Sequence, residues 1–483
     1  MPLATQRRGG FAAFLLWLGA LAVGVVGLVY GGEISRVPSA WAYLGLWVVC
    51  ALGCLVFVIL RVPFSLQRIG ALDPLEIPVY VTLTNLGLIG IAGIAPYADP
   101  ALLILPDTTT LPNSLLLIGV GLWAMWGGYA LLSLTWERGG AVALSNHPTR
   151  FAVPSQRRTL FLYGGVLILR LALFASGTGE RFRVGGGLSL FGEWDQWFTY
   201  LRATAWVTLA VILLQGMSKR DRYSFRVISL IIGIEVVMGV FAGWASHLIK
   251  LAALILGCMV YTRQPTRRIA LATLIGICGT VALTPVARFM RGGDQDLDAL
   301  WQGIQIIAEG DAADSTWALF IRRQSTTAQT PALIMAKTPY PVAFRPLEEL
   351  LLSPFSFIPR VIWRGKPEYA NIGGILTEQY FGVSAKNGSS AVTFAGNLYL
   401  YGGVGVVILG MAAFGVLAAL IYRMFAVPGL AHGQIGLLAA YAGVAIHNLH
   451  LGEGDILGTI QGLIQASVFF YVVAVWLCPR RAF

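Results

Sequence analysis

Long unbroken apolar runs recur along the whole chain, separated by short stretches of Arg, Gly, Pro and small polar residues. An α-helix needs about 20 apolar residues to cross the hydrocarbon core of a bilayer. Membrane β-strands would instead show alternating segments of about 10 residues. The runs predict twelve helices, over residues 10–31, 40–61, 77–95, 113–135, 159–176, 196–217, 226–245, 247–262, 269–287, 394–422, 433–449 and 455–478. The eighth is short and predicts a tilted helix or one paired tightly with the seventh. The first, from Gly10 to Tyr30, is too long for a cleavable leader's apolar stretch and reads as a retained helix. The predicted fold class is therefore all-α, a polytopic membrane protein. Helices one to nine fill residues 1–287, a large extracytoplasmic region 288–393, and helices ten to twelve 394–483.

The region 288–393 breaks the rhythm. Leu297, Leu300, Trp301, Ile304 and Ile307 repeat at helical spacing, with Asp296, Asp298, Gln302 and Gln305 between them. That pattern predicts an amphipathic helix lying on the membrane surface. Pro346 followed by Glu348 and Glu349 predicts a helix start, with acids near the positive end of the helix dipole. A small helical cap over the membrane helices follows from both.

Composition removes the soluble alternative. Charged residues make up 12% of the chain and hydrophobic ones 57%, with a mean hydropathy of +0.72; a soluble domain carries about 25% charged residues. The net charge of +11 follows the membrane rather than pointing to nucleic acid. With Arg7 and Arg8 placed in the cytoplasm, every second short loop is basic: Arg61 and Arg68; Arg138, Arg150, Arg157 and Arg158; Lys219, Arg220, Arg222 and Arg226; Arg263, Arg267 and Arg268; Arg423; and finally Arg480 and Arg481. The alternate short loops are poorer, with Arg36, Arg181 and Arg183. This bias predicts both termini on the cytoplasmic side. All five cysteines fall in apolar runs and read as packing residues, with neither disulfide nor metal.

Candidate chemistry gathers on the other side. Arg288 and Arg291 stand where helix nine emerges, and Arg360, Arg364 and Lys366 lie in Phe357-Ile-Pro-Arg-Val-Ile-Trp-Arg-Gly-Lys-Pro367. Clustered guanidinium groups at the interface suit a diphosphate; snorkelling to lipid headgroups is the plainer reading. The turn His447-Asn-Leu-His-Leu-Gly-Glu-Gly-Asp455 holds His447, His450 and Glu453 as candidate proton acceptors. A metal site from His447, His450, Glu453 and Asp455 matches no ligand spacing, and Glu453 or Asp455 also suits an N-cap for helix twelve. Lys250, in the turn after Gly243, suits snorkelling or an anion. Tyr399 suits a sugar ring or the interfacial aromatic belt, as do Trp363, Tyr369 and Tyr401. Arg170, inside helix five, must find an acidic or carbonyl partner, and Glu235 is among the few acids available.

The many helices, the long outer region late in the chain, the run Ile358–Pro367 and the aromatic, glycine-rich stretch Asn397-Leu-Tyr-Leu-Tyr-Gly-Gly-Val-Gly405 together resemble the Wzy-type oligosaccharide repeat-unit polymerases. The motif-level likeness covers about residues 355–405, with the short basic turn Gly243–Lys250 added. The resemblance implies a GT-C-like glycosyltransferase of the bacterial inner membrane, working on its periplasmic face without cofactor or metal. Its donor would be a growing glycan on undecaprenyl diphosphate and its acceptor a lipid-linked repeat unit. A flippase and a chain-length regulator would be its partners beside membrane lipids. Arg360 and Arg364, with Arg288, Arg291 and Lys366, would neutralise the leaving diphosphate, while His450, Glu453 or His447 would take the acceptor's proton. An O-antigen ligase with the same donor, or a transporter, remains the alternative.

Overall fold

The computed structural model describes residues 38–61, 75–138, 154–175, 195–219, 222–241 and 245–292 and, of 301–478, all but 303, 306–308, 310–311, 353–354, 356–357, 359–362, 366–371, 385–389 and 450–454. Every regular element among the described residues is helical. In chain order these are α1 (Pro38–Arg61), α2 (Ile77–Ala98), α3 (Leu111–Arg138), α4 (Gln156–Ala175), α5 (Asp195–Lys219), α6 (Arg222–Phe241), α7 (Ala245–Tyr261), α8 (Thr266–Gly292), α9 (Ala312–Lys337), α10 (Leu347–Leu352), α11 (Ile372–Ile375), α12 (Phe394–Tyr399), α13 (Gly403–Ile421), α14 (Val427–His432), α15 (Ile435–His447) and α16 (Ile456–Leu477). Among the described residues five helices are long and apolar enough to cross a membrane: Ile77–Ala98, Thr108–Leu132, Thr266–Ala287, Gly403–Leu430 and Ile456–Leu477. Stretches within α1, α5 and α7, and the whole of α15, are shorter apolar helices. The predicted span at 10–31 lies outside the described residues.

Exposed apolar side chains explain what solvent these helices need. On α8, Leu271, Leu274, Ile275 and Ile277 are each more than half exposed, as are Phe161 and Ile168 on α4 and Phe225 and Leu230 on α6. A surface of that kind fits a hydrocarbon surrounding.

The chain divides into two compact units. The first comprises residues 1–143, 320–422 and 450–462. Its core is the close pairing of α3 with α13. A Cβ on Gly128 would collide with the carbonyl of Ala412, and one on Gly415 with that of Met125, so small residues let the two backbones touch. Beside them α2 widens into a π-helix over Leu83–Gly90. Trp47 and Tyr43 of α1 donate to the Leu86 and Gly90 carbonyls there, each at 2.8 Å.

Two features of this unit depart from the sequence expectation. The region read as a surface cap contains α9, a 26-residue helix that carries a buried polar face of Ser325, Thr327, Gln329 and Thr330. Gln329 uses both amide poles on one segment, accepting from the Ile104 N–H at 2.7 Å and donating to the Leu102 carbonyl at 2.8 Å. Of the predicted surface helix before it, only 301–302 and 304–305 lie within the described residues, helical and exposed. The single span expected over 394–422 is broken at an elbow between α12 and α13. There Gly403 adopts φ +71°, a conformation open to glycine at little cost.

The second unit comprises residues 144–319, 423–449 and 463–483. Its helices α4–α8 pack with α14, α15 and the later part of α16. Gly443 of α15 approaches Val207 of α5 and Phe470 of α16 so closely that a Cβ would meet Val207 Cγ2. Gly433, at φ +65°, ends α14 and turns the chain into α15.

Candidate functional site

Three helix starts converge in the first unit. α12 begins at Thr393, whose hydroxyl accepts from the Gly396 N–H at 3.1 Å. Gly396 packs tightly against α9, since a Cβ would stand 3.1 Å from Pro331 Cγ as well as 2.9 Å from Val392 Cγ2. That contact fixes Asn397, which is fully buried. α10 starts after Pro346, as the sequence predicts to within a residue. It is strapped to the elbow by the Arg345 N–H, which donates to the Leu400 carbonyl at 2.8 Å. α16 starts at Asp455, whose Oδ1 accepts from the Leu457 N–H at 2.9 Å and Oδ2 from the Gly458 N–H at 3.2 Å. That is the N-cap anticipated for the last helix.

The side chains form one electrostatic group. Arg345 Nη2 donates to Glu349 Oε1 at 2.8 Å and to Oε2 at 2.7 Å, and its guanidinium carbon lies 5.9 Å from the centroid of the Tyr401 ring. The Tyr401 hydroxyl donates to Glu349 Oε2 at 3.4 Å. Asn397 Nδ2 reaches Asp455 Oδ1 at 3.5 Å. Burial lifts the Asp455 carboxyl above the usual carboxylate range, against the opposing pull of the Leu457 and Gly458 N–H groups, the Asn397 amide and the Arg345 charge. Burial, then the Asp455 charge, pushes the Tyr401 hydroxyl up in the same way. A carboxylate with raised proton affinity beside a tyrosine and an arginine can take a proton from a bound hydroxyl.

The expected site residues fall as follows. Tyr399 lies in this unit, its ring 6.3 Å from that of Phe344. Arg364 is exposed in a short turn. Arg360, Lys366, His450 and Glu453 lie outside the described residues. Arg288 and Arg291 ride the last turn of α8, their side chains likewise outside. Lys250 and His447 belong to the second unit, where Lys250 Nζ donates to the His447 carbonyl at 3.0 Å. Lys250 thus serves the C-terminal end of α15, where a cation is favoured by the helix dipole. The His447 ring packs 5.2 Å from Tyr200 and 6.2 Å from Phe470.

The pairing expected of Arg170 is met. Its Nη1 lies 2.9 Å from both oxygens of Glu235, to which the Tyr163 hydroxyl donates at 2.9 Å. His247 Nε2 stands 3.0 Å from Oε2. The sequence assigns no site role to Arg345, Glu349 or Asn397. The spacing Arg345-x-x-x-Glu349 around a proline was the available signal for the first two. Among the described residues no group of three or more His, Cys, Asp and Glu side chains is arranged to hold a metal ion.

A family model described as Domain of unknown function (DUF8712) matches residues 167–426, more than half of the chain. The matched segment includes Arg345, Glu349, Asn397 and Tyr401 and stops before Asp455. No match was found among curated proteins or among solved structures.

Proposed function

We propose that this chain, which belongs to the DUF8712 family, is a membrane glycosyltransferase that polymerises oligosaccharide repeat units carried on undecaprenyl diphosphate, as the Wzy-type polymerases it resembles do. The observation that carries the reading is the meeting of Asp455 with Asn397, Tyr401, Arg345 and Glu349 where two apolar helices, α13 and α16, begin. The acceptor sugar's hydroxyl oxygen attacks the donor's anomeric carbon. The bond from that carbon to the diphosphate breaks, and the diphosphate leaves with the electron pair. The hydroxyl proton passes to the Asp455 carboxylate. Asp455 takes this role ahead of His450 and Glu453, which precede it in the same turn of sequence. Arg364 is exposed and free to approach the leaving group, with Arg288, Arg291, Arg360 and Lys366 as the further cations. Tyr399 offers a ring to a sugar face. The step balances without a metal.

The finer topology belongs to the same proposal: twelve spans, both termini cytoplasmic, and the site on the periplasmic face of a bacterial inner membrane. The test is polymerisation by purified protein in detergent, with a lipid-linked repeat unit as substrate and chelator present. A ladder of glycan lengths is expected. Transfer to a lipid A core acceptor without a ladder would turn the reading to a ligase. A transporter is the second reading, favoured by the Arg170–Glu235–His247 cluster inside the helices; gradient-driven uptake into proteoliposomes with no ladder would establish it.

A further inference from the structure

Asn397 presents an imbalance at the centre of the site. Its Nδ2 makes a long bond to Asp455 Oδ1, 3.5 Å, beyond the usual range of an amide donor. Its Oδ1 is buried and, among the described residues, has no hydrogen-bond partner. An idle buried acceptor is costly, and it stands on the residue that touches the carboxylate. The two poles of an amide have nearly the same size, so a half-turn exchanges them without disturbing the packing that fixes α12 at Gly396.

We infer that Asn397 is a positioning residue for the Asp455 proton acceptor, its Nδ2 serving the carboxylate and its Oδ1, after the amide half-turn, serving the protonated carboxyl. The inference rests on the reading of Asp455 as the base. Before transfer the amide N–H orients Asp455 Oδ1. When the acceptor's proton arrives, that oxygen becomes an O–H donor and the amide turns to accept from it. Among the described residues, the other groups facing Asp455 lack this property. The Leu457 and Gly458 N–H groups only donate. Arg345 acts through its charge and is held by Glu349. Tyr401 is engaged with Glu349.

The test is pH-difference infrared spectroscopy of the purified full chain in detergent, beside the polymerisation assay. The carboxyl band of protonated Asp455 is identified by its loss in Asp455→Asn. In Asn397→Leu that band should move to the position of a carboxyl without an acceptor, and Asn397→Thr, whose hydroxyl both donates and accepts, should restore it. Turnover in Asn397→Leu should fall about ten-fold with KM unchanged, and its acid limb should move with the band. Should Asn397→Leu fail to accumulate, Asn397→Ala gives the same readout. An unmoved band in a folded variant would overturn the inference while leaving any ladder of products intact. A moved band in a protein that makes no ladder would keep the Asn397–Asp455 pair and remove the polymerase reading.

Discussion

Two carboxylates define two kinds of polar site in this protein. Glu235, in the second unit, is nearly inaccessible and saturated. Its oxygens accept from Tyr163 and Arg170 and face the Nε2 of His247, all within 3.0 Å. Asp455, in the first unit, has among the described residues two backbone N–H groups and one long amide contact, and its nearest amide keeps an unused acceptor there. A charge buried among helices must be fully paired to persist, and such a site chiefly holds its helices together. A carboxylate that burial has pushed up, with bonding capacity still open, is arranged to gain and lose a proton. The difference separates scaffold from chemistry more cleanly than residue type does, since each site holds an acid, an arginine and a tyrosine.

The largest expected effect tests the saturated site. Glu235→Ala leaves Arg170 and His247 buried without their acceptor, and should lower stability by about 3–5 kcal/mol, seen as loss of folded protein or a large fall in Tm in detergent. Replacing the arginine with it, Arg170→Leu with Glu235→Leu, should recover part of that loss, because the stranded guanidinium is gone while the Tyr163 hydroxyl and His247 still lack their acceptor. Failure to recover would mean that the cluster does more than join α4, α6 and α7, and would favour the transporter reading.

At the open site the effect should fall on rate. Asp455→Asn should lower polymerisation by about 10²–10⁴-fold without lowering Tm, because Asn caps a helix start as well as Asp does. Retained turnover would remove Asp455 from the reaction and return the role to His450 or Glu453. The pH profile sharpens the point. Activity requires the carboxylate, so the acid limb should lie above the ordinary Asp value of 3.8 and disappear in the variant. Stability runs the other way. A carboxyl raised in the folded state favours folding below its unfolded value, and that contribution is lost as pH rises through the raised value. Tm of the parent chain should therefore drop across that window relative to Asp455→Asn.

How much of this was legible in the sequence depends on what each residue touches. Arg170 with Glu235 was readable because a charge inside an apolar run has few partners to choose from. Asp455 was readable as a cap because its position before the last helix fixes that geometry. The buried polar face of α9 was not. Ser325, Thr327, Gln329 and Thr330 look solvent-facing to any hydropathy pattern, and only the backbone of Leu102–Ile104, more than 200 residues away, explains them. The elbow at Gly403 was hidden in a run that is apolar on both sides. Nothing in the sequence ties Arg345 to Tyr401, because its approach to that ring exists only once that elbow has formed.

The smallest expected effect concerns Lys250, for which the sequence offered snorkelling or an anion and the structure offers a carbonyl. Lys250→Met keeps the apolar stem and removes the ammonium, so the His447 carbonyl at the end of α15 loses its donor. Bonds between helices in a membrane are modest, and a cation at a helix end contributes about 0.3–1 kcal/mol. The variant should lose about 1 kcal/mol or less of stability and keep the parent KM for the lipid-linked donor. A ligand for diphosphate would behave otherwise, since removing its charge weakens binding of the donor and raises KM with little change in Tm. The contrast between Tm and KM in this one variant decides whether Lys250 belongs with the saturated contacts of the second unit or with the substrate.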